Sequence, residues 1–153
     1  MIYLDANVLV ASVALVVDED RTEQVERLLR GKEVFYTSAL ADYEARKHLA
    51  ARDEEHLILL DSLINQKVRL NVAWDVAIIQ ALKIAGQFKA RLAVDSADTL
   101  HVGWALAIGA DTFASFDRRS GPRPLALAMG LKVWPKAGPE DFAAMSRLKP
   151  KRA

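Results

Sequence analysis

The stretch Ala93–Arg119, AVDSADTLHVGWALAIGADTFASFDRR, constrains the fold of this chain more than any other. It reads as loop, helix, glycine stop, strand and carboxylate, with acids at both ends. Ala97, Leu100, His101, Trp104, Ala105 and Ile108 recur at helical spacing and make one apolar face. Gly109 stands where a helix ends in a left-handed residue. Thr112–Phe116 is short, β-prone and apolar, as a buried parallel strand should be. Asp117 then lies at the carboxyl end of that strand, where open α/β sheets place their ligands. Asp98 falls in the first turn of the preceding helix, so two acids are offered to one rim.

Each acid also has a purely structural reading. Asp95, three residues before Asp98, fits a helix N-cap, and acids in a first turn are favoured by the helix dipole. Asp117 fits a turn residue ahead of Arg118, Arg119, Ser120 and Gly121. Company elsewhere in the chain decides between the two readings.

That company begins at the first strand. Ile2, Tyr3 and Leu4 run straight into Asp5, and Ala6 and Asn7 lead into a helix over Val8–Leu15, with Asn7 placed to cap it. A carboxylate at the end of a central strand is costly to bury without a partner, a metal or hydrogen bonds. A second helical unit spans Asp18–Arg30, with a capping-box pattern at Asp20 and Glu23 and a stop at Gly31. Val34–Thr37 is the next strand, and Ser38 caps a helix reaching about Arg52 with Leu40, Tyr43, Lys47, Leu49 and Ala50 along it. Glu44 lies in this helix, four residues before His48, and that pair also fits a solvated helix surface.

Glu54–Gln66 contains the apolar helix LILLDSLI, Val68–Val72 reads as a third strand, and a helix runs from Asp75 to Gly86. After Asp117 come a turn, a short helix over Pro124–Met129, a last strand over Leu131–Trp134 and a small helix opened by Pro139. The alternation of strands with one or two helices predicts a parallel sheet flanked by helices. Trp74, Trp104 and Trp134 are expected in the core.

At 153 residues, 52% hydrophobic and 27% charged, the chain fits a single globular domain rather than a disordered one. The expected division is a main domain over residues 1–135, then a short helix and basic tail over 136–153. The lack of cysteine excludes disulfides and thiolate metal sites. A formal charge of +1 gives no argument for nucleic acid by itself. The start MIYLD reads as a strand, so no signal peptide is expected, and no apolar run reaches membrane-spanning length. A cytoplasmic location is the expectation.

The four segments MIYLDANVLVAS, TSALADYEARKHL, ADTLHVGWALAIGAD and TFASFDRR, in this order and spacing, resemble the PIN-domain proteins. They are similar in particular to the VapC-type toxin ribonucleases of bacterial toxin–antitoxin pairs, and the resemblance reaches to about Trp134. It implies a three-layer α/β/α sandwich on a mostly parallel sheet. It also implies metal-dependent cleavage of RNA by three or four clustered carboxylates. Carried over by position, these acids are Asp5, Glu44, Asp98 and Asp117. Asn7 and Ser115 match polar positions that support them, whereas Ala6 and Phe116 depart from the usual residues. The resemblance further implies an antitoxin protein as partner, and family members commonly pair as homodimers.

The chemistry accounts for such a cluster. Bare carboxylates repel a phosphodiester, and magnesium or manganese reverses the local sign because hard cations take carboxylate oxygen and retain waters. Arg118 and Arg119 are placed to hold flanking phosphates, or else form a solvated turn. Two other classes compete: a phosphoacceptor or phosphatase-type α/β domain, and a non-catalytic binding module on the same fold. The first is expected to show a second aspartate where Asn7 stands or a late lysine after a strand, and neither is evident.

Overall fold

The computed structural model of the chain describes residues 1–14, 19–88, 95–117 and 121–148. Leu15, Asp18, Arg118, Arg119 and the expected basic tail from Lys149 lie outside the described residues. Five parallel strands form one sheet in the order β3-β2-β1-β4-β5, flanked by eight helices among the described residues. This is the α/β/α sandwich class that the sequence predicts. The chain divides into two compact units, Met1–Val72 and Ala73–Ala153.

The first unit holds β1 (Ile2–Leu4), α1 (Ala6–Val13), α2 (Glu19–Leu29), β2 (Phe35–Ser38), α3 (Ala39–Ala50), α4 (Glu54–Gln66) and β3 (Val68–Asn71). β2 lies parallel to β1, with Ile2 opposite Phe35, and parallel to β3, with Phe35 opposite Val68. Tyr3, Leu4, Val8, Leu9, Phe35 and Leu60 are fully buried and supply much of its core. The ends of β1 and β2 are stapled twice. The Thr37 hydroxyl donates to the Leu4 carbonyl at 2.9 Å, and the Tyr3 and Ser38 hydroxyls are 2.7 Å apart.

Three local details differ from the sequence expectation. Asp5, not Asn7, caps α1, because β1 delivers Asp5 in the extended conformation (φ −76°, ψ 163°) that an N-cap residue needs. α2 begins ahead of Asp20, so Asp20 and Glu23 form no capping box, and Glu23 pairs with Arg27 at 2.7 Å instead. In α3 the buried ladder is Ala41, Ala45 and Leu49, while Tyr43 is 62% exposed. Alanines weigh little in a hydrophobicity reading, yet their small side chains let α3 pack closely on α1.

The second unit holds α5 (Trp74–Gln87), α6 (Ser96–Ala107), β4 (Thr112–Ala114), α7 (Pro122–Ala128), β5 (Lys132–Trp134) and α8 (Pro139–Leu148). β4 and β5 pair in parallel, Phe113 opposite Val133. α5 and α6 cross where a Cβ on Gly103 would lie 2.8 Å from the Ala77 carbonyl oxygen, so only glycine admits the approach. Gly109, at φ 74°, ends α6 in the left-handed conformation that its place predicts. β4 stops two residues short of the expected Phe116, because the Ser115 hydroxyl accepts from the Asp117 amide at 3.2 Å and turns the chain. Trp104 is fully buried as expected, but Trp74, 4.7 Å from it in an edge-to-face contact, is 42% exposed.

Candidate metal centre

Each acid that the sequence singles out stands at an element boundary or along a helix edge for a local reason. Asp5 follows β1, is 5% exposed, and accepts from the Ala6 amide at 2.8 Å. Its carbonyl receives the amides of Val8 and Leu9, so the residue is fixed by both strand and helix. Glu44 is half-buried on α3, beside the Ala41–Ala45 ladder that presses this helix inward. The structure brings these two together, with a carboxylate oxygen of each within 4.8 Å of one from the other. One hard cation with oxygen bonds of about 2.0–2.6 Å spans that separation, and oxygen donors are what magnesium and manganese prefer. The donor set therefore fits such an ion.

Tyr3 records the field of this pair. Burial first, then Asp5, and last Glu44 push the Tyr3 phenol well above its ordinary range, against the lowering effect of its Ser38 hydrogen bond. The ring thus stays neutral behind the two carboxylates.

In the same unit a cleft of ≈ 380 Å³ opens beside Glu44. Ala6, Val10 and Ala11 of α1 form its apolar floor, and Asn7, Arg21, His48 and Arg52 join Glu44 around it. His48 Nε2 lies 3.3 Å from an Arg52 guanidinium nitrogen. The sequence left Glu44 and His48 open as a surface pair; the structure turns both into this cleft. Arg21 and Arg52 were missed, since no spacing rule links α2 to the turn after α3.

The second unit carries the other two acids. Asp95 caps α6 by accepting from the Ala97 amide at 2.9 Å, the structural role predicted for it. Asp98 is half-buried in the first turn of that helix, and His101, three residues on and so on a neighbouring face, is 3% exposed. Asp117 is exposed, three residues past β4, with its amide bonded to the buried Ser115. Arg118 and Arg119 lie outside the described residues.

Arg123 was not read as functional from the sequence. It is fully buried and its guanidinium makes four hydrogen bonds. Nε and Nη2 donate to the two Asp141 oxygens at 2.9 Å each, Nη1 donates to the Ser115 carbonyl at 2.7 Å, and Nη2 also donates to the Pro135 carbonyl at 2.8 Å.

The PIN domain family matches residues 2–121 of the chain. Comparison with curated proteins found no match. Three solved structures share the fold at low identity. VapC20 of Mycobacterium tuberculosis, described as a sarcin-ricin loop cleaving toxin, is 18% identical with a TM-score of 0.62, over 76% of this chain and 90% of that one. FitAcB of Neisseria gonorrhoeae is 22% identical with a TM-score of 0.63, over 87% and 96%. VapBC-1 of nontypeable Haemophilus influenzae is 16% identical with a TM-score of 0.59, over 97% and 96%. The family match takes in β1 through Gly121, and with it all four acids, so the chain belongs to the PIN domain family.

Proposed function

We propose that this protein is a metal-dependent endoribonuclease, the toxin of a toxin–antitoxin pair, in which Asp5, Glu44, Asp98 and Asp117 hold a magnesium or manganese ion. The observation that carries the reading is the close pair of Asp5 and Glu44, one of them buried, in a PIN domain. A catalytic role favours keeping a carboxylate at the end of a buried strand, where it otherwise raises the cost of folding.

When bound, the ion supplies a water of lowered pKa and neutralises phosphate charge. The chain's own residues do the positioning. Asp5 is aimed by its capping bond, Asn7 stands beside Glu44 in the cleft, and Ser115 fixes the backbone of Asp117. Arg21 and Arg52 offer charge to the phosphates of a bound strand, the role that sequence position also suggests for Arg118 and Arg119. A toxin reading is favoured by the similar VapC20, whose described role is to cleave the sarcin-ricin loop. It brings with it an antitoxin protein as partner, a homodimer and a cytoplasmic place of work. Among the described residues, no helix is long and apolar enough to cross a membrane.

The test is direct. Purified protein mixed with single-stranded RNA should cut it in manganese or magnesium and leave it whole in chelator. RNA that stays intact with both metals, while still being bound, would replace the nuclease by a binding module.

A further inference from the structure

We infer that Gly121 is a positioning residue for the Asp117 carboxylate, and that the buried Arg123–Asp141 pair gives it that power. The inference rests on the proposed reading of Asp117 as a metal ligand. A Cβ built on Gly121 would lie 2.4 Å from both Cγ and Oδ2 of Asp117, and 2.8 Å from its Cβ. Real Cβ atoms do not approach so closely, so the Asp117 carboxyl rests directly on the Cα of Gly121. The glycine is not there for its backbone, since φ −87° and ψ −161° are open to any residue. It is there for space.

The backbone at Gly121 has little room to withdraw from the carboxyl. Two residues on, the Arg123 guanidinium is fully buried and bound to the Asp141 carboxylate of α8, to the Pro135 carbonyl and to the Ser115 carbonyl. Asp141 is itself held by the Gly138 amide at 2.9 Å. Ser115 in turn accepts the Asp117 amide through its hydroxyl. One cation thus fixes both walls of the slot: the turn that carries Asp117 and the segment that carries Gly121. Turning the exposed Asp117 side chain carries Cγ and Oδ2 clear of an added methyl group, while its Cβ at 2.8 Å clears only by a small shift of the turn.

Gly121→Ala tests this by manganese titration in a calorimeter and by melting in chelator. This variant and Asp117→Asn should each bind manganese at least tenfold more weakly, and Gly121→Ala should melt at most slightly earlier in chelator. Gly121→Ala together with Asp117→Asn should bind no more weakly than Asp117→Asn alone, since both act on one ligand. Wild-type affinity in Gly121→Ala, or losses that add, overturn the inference. If Gly121→Ala melts early, Asp117→Gly in the same chain should restore it, and failure to restore it also overturns the inference. If the wild-type protein binds no manganese, the nuclease reading falls separately. The crystal structure of Gly121→Ala then decides: a displaced Asp117 carboxyl supports the positioning role and an unmoved one ends it.

Discussion

Asp5 has two duties that one substitution separates. It caps α1 and it brings a buried carboxylate to within 4.8 Å of Glu44. Asparagine caps a helix about as well as aspartate, so Asp5→Asn keeps the first duty. It also relieves repulsion between two nearby acids. Melting in chelator should therefore hold or rise, while manganese-dependent cleavage of single-stranded RNA falls by orders of magnitude. A variant that cuts at the wild-type rate would remove Asp5 from the site. The acids at the start of α6 divide the same way. Asp95 is engaged by the Ala97 amide, so Asp95→Ala should cost about 1 kcal/mol by denaturant unfolding and keep activity. Asp98 is in the first turn and is not the cap, so Asp98→Ala should abolish cleavage and metal binding with a smaller change in stability. The reverse pattern would exchange their roles.

Small residues and the buried Arg123–Asp141 pair join elements of this protein, and each makes its own prediction. At the crossing of α5 and α6 the added methyl of Gly103→Ala meets backbone on both Ala77 and Ala81 at 2.8 Å, atoms that cannot rotate away. Overpacking of this kind costs about 1–3 kcal/mol, readable as an earlier urea midpoint at unchanged slope. Asp141→Ala strips the carboxylate from a guanidinium with no exposure and should cost about 3–5 kcal/mol. Glu23→Ala removes a pair whose side chains are 68% and 74% exposed, and should cost under about 0.5 kcal/mol. Equal losses from the two would mean that burial does not govern these pairs. The same contrast explains what the sequence could tell. Element order, the parallel sheet, the α6 stop at Gly109 and the roles of Asp95 and Ser38 follow from periodicity and capping chemistry, which are local. The close approach of Asp5 and Glu44 was legible only through motif order, because β1 and α3 are joined by spatial packing. The burial of Arg123 and the inward face of α3 were not legible: a charge and a set of alanines both look like surface until a neighbour is known.

At the scale of the whole molecule, α5 points beyond the single chain. Its sequence WDVAIIQALKIAGQ is apolar on more than one side, and a helix of that kind is ordinarily covered all round. One side is covered, since Ala77, Ala81 and Ile84 are buried, the first two against Gly103 of α6. The other is not: Val76, Ile79 and Leu82 are 41%, 52% and 67% exposed. A stripe of aliphatic side chains facing water marks an interaction surface. It supports the proposed homodimer, in which a second copy covers the stripe. Light scattering on the eluting protein should then give twice the 16.9 kDa chain mass. Ile79→Glu with Leu82→Glu should give the single-chain mass with unchanged helical circular dichroism, because neither side chain belongs to the buried side of α5. RNA cleavage per chain should persist in that monomer, since none of the proposed ligands lies on α5. A wild-type monomer, or a double variant that still pairs, would remove this stripe from any homodimer interface.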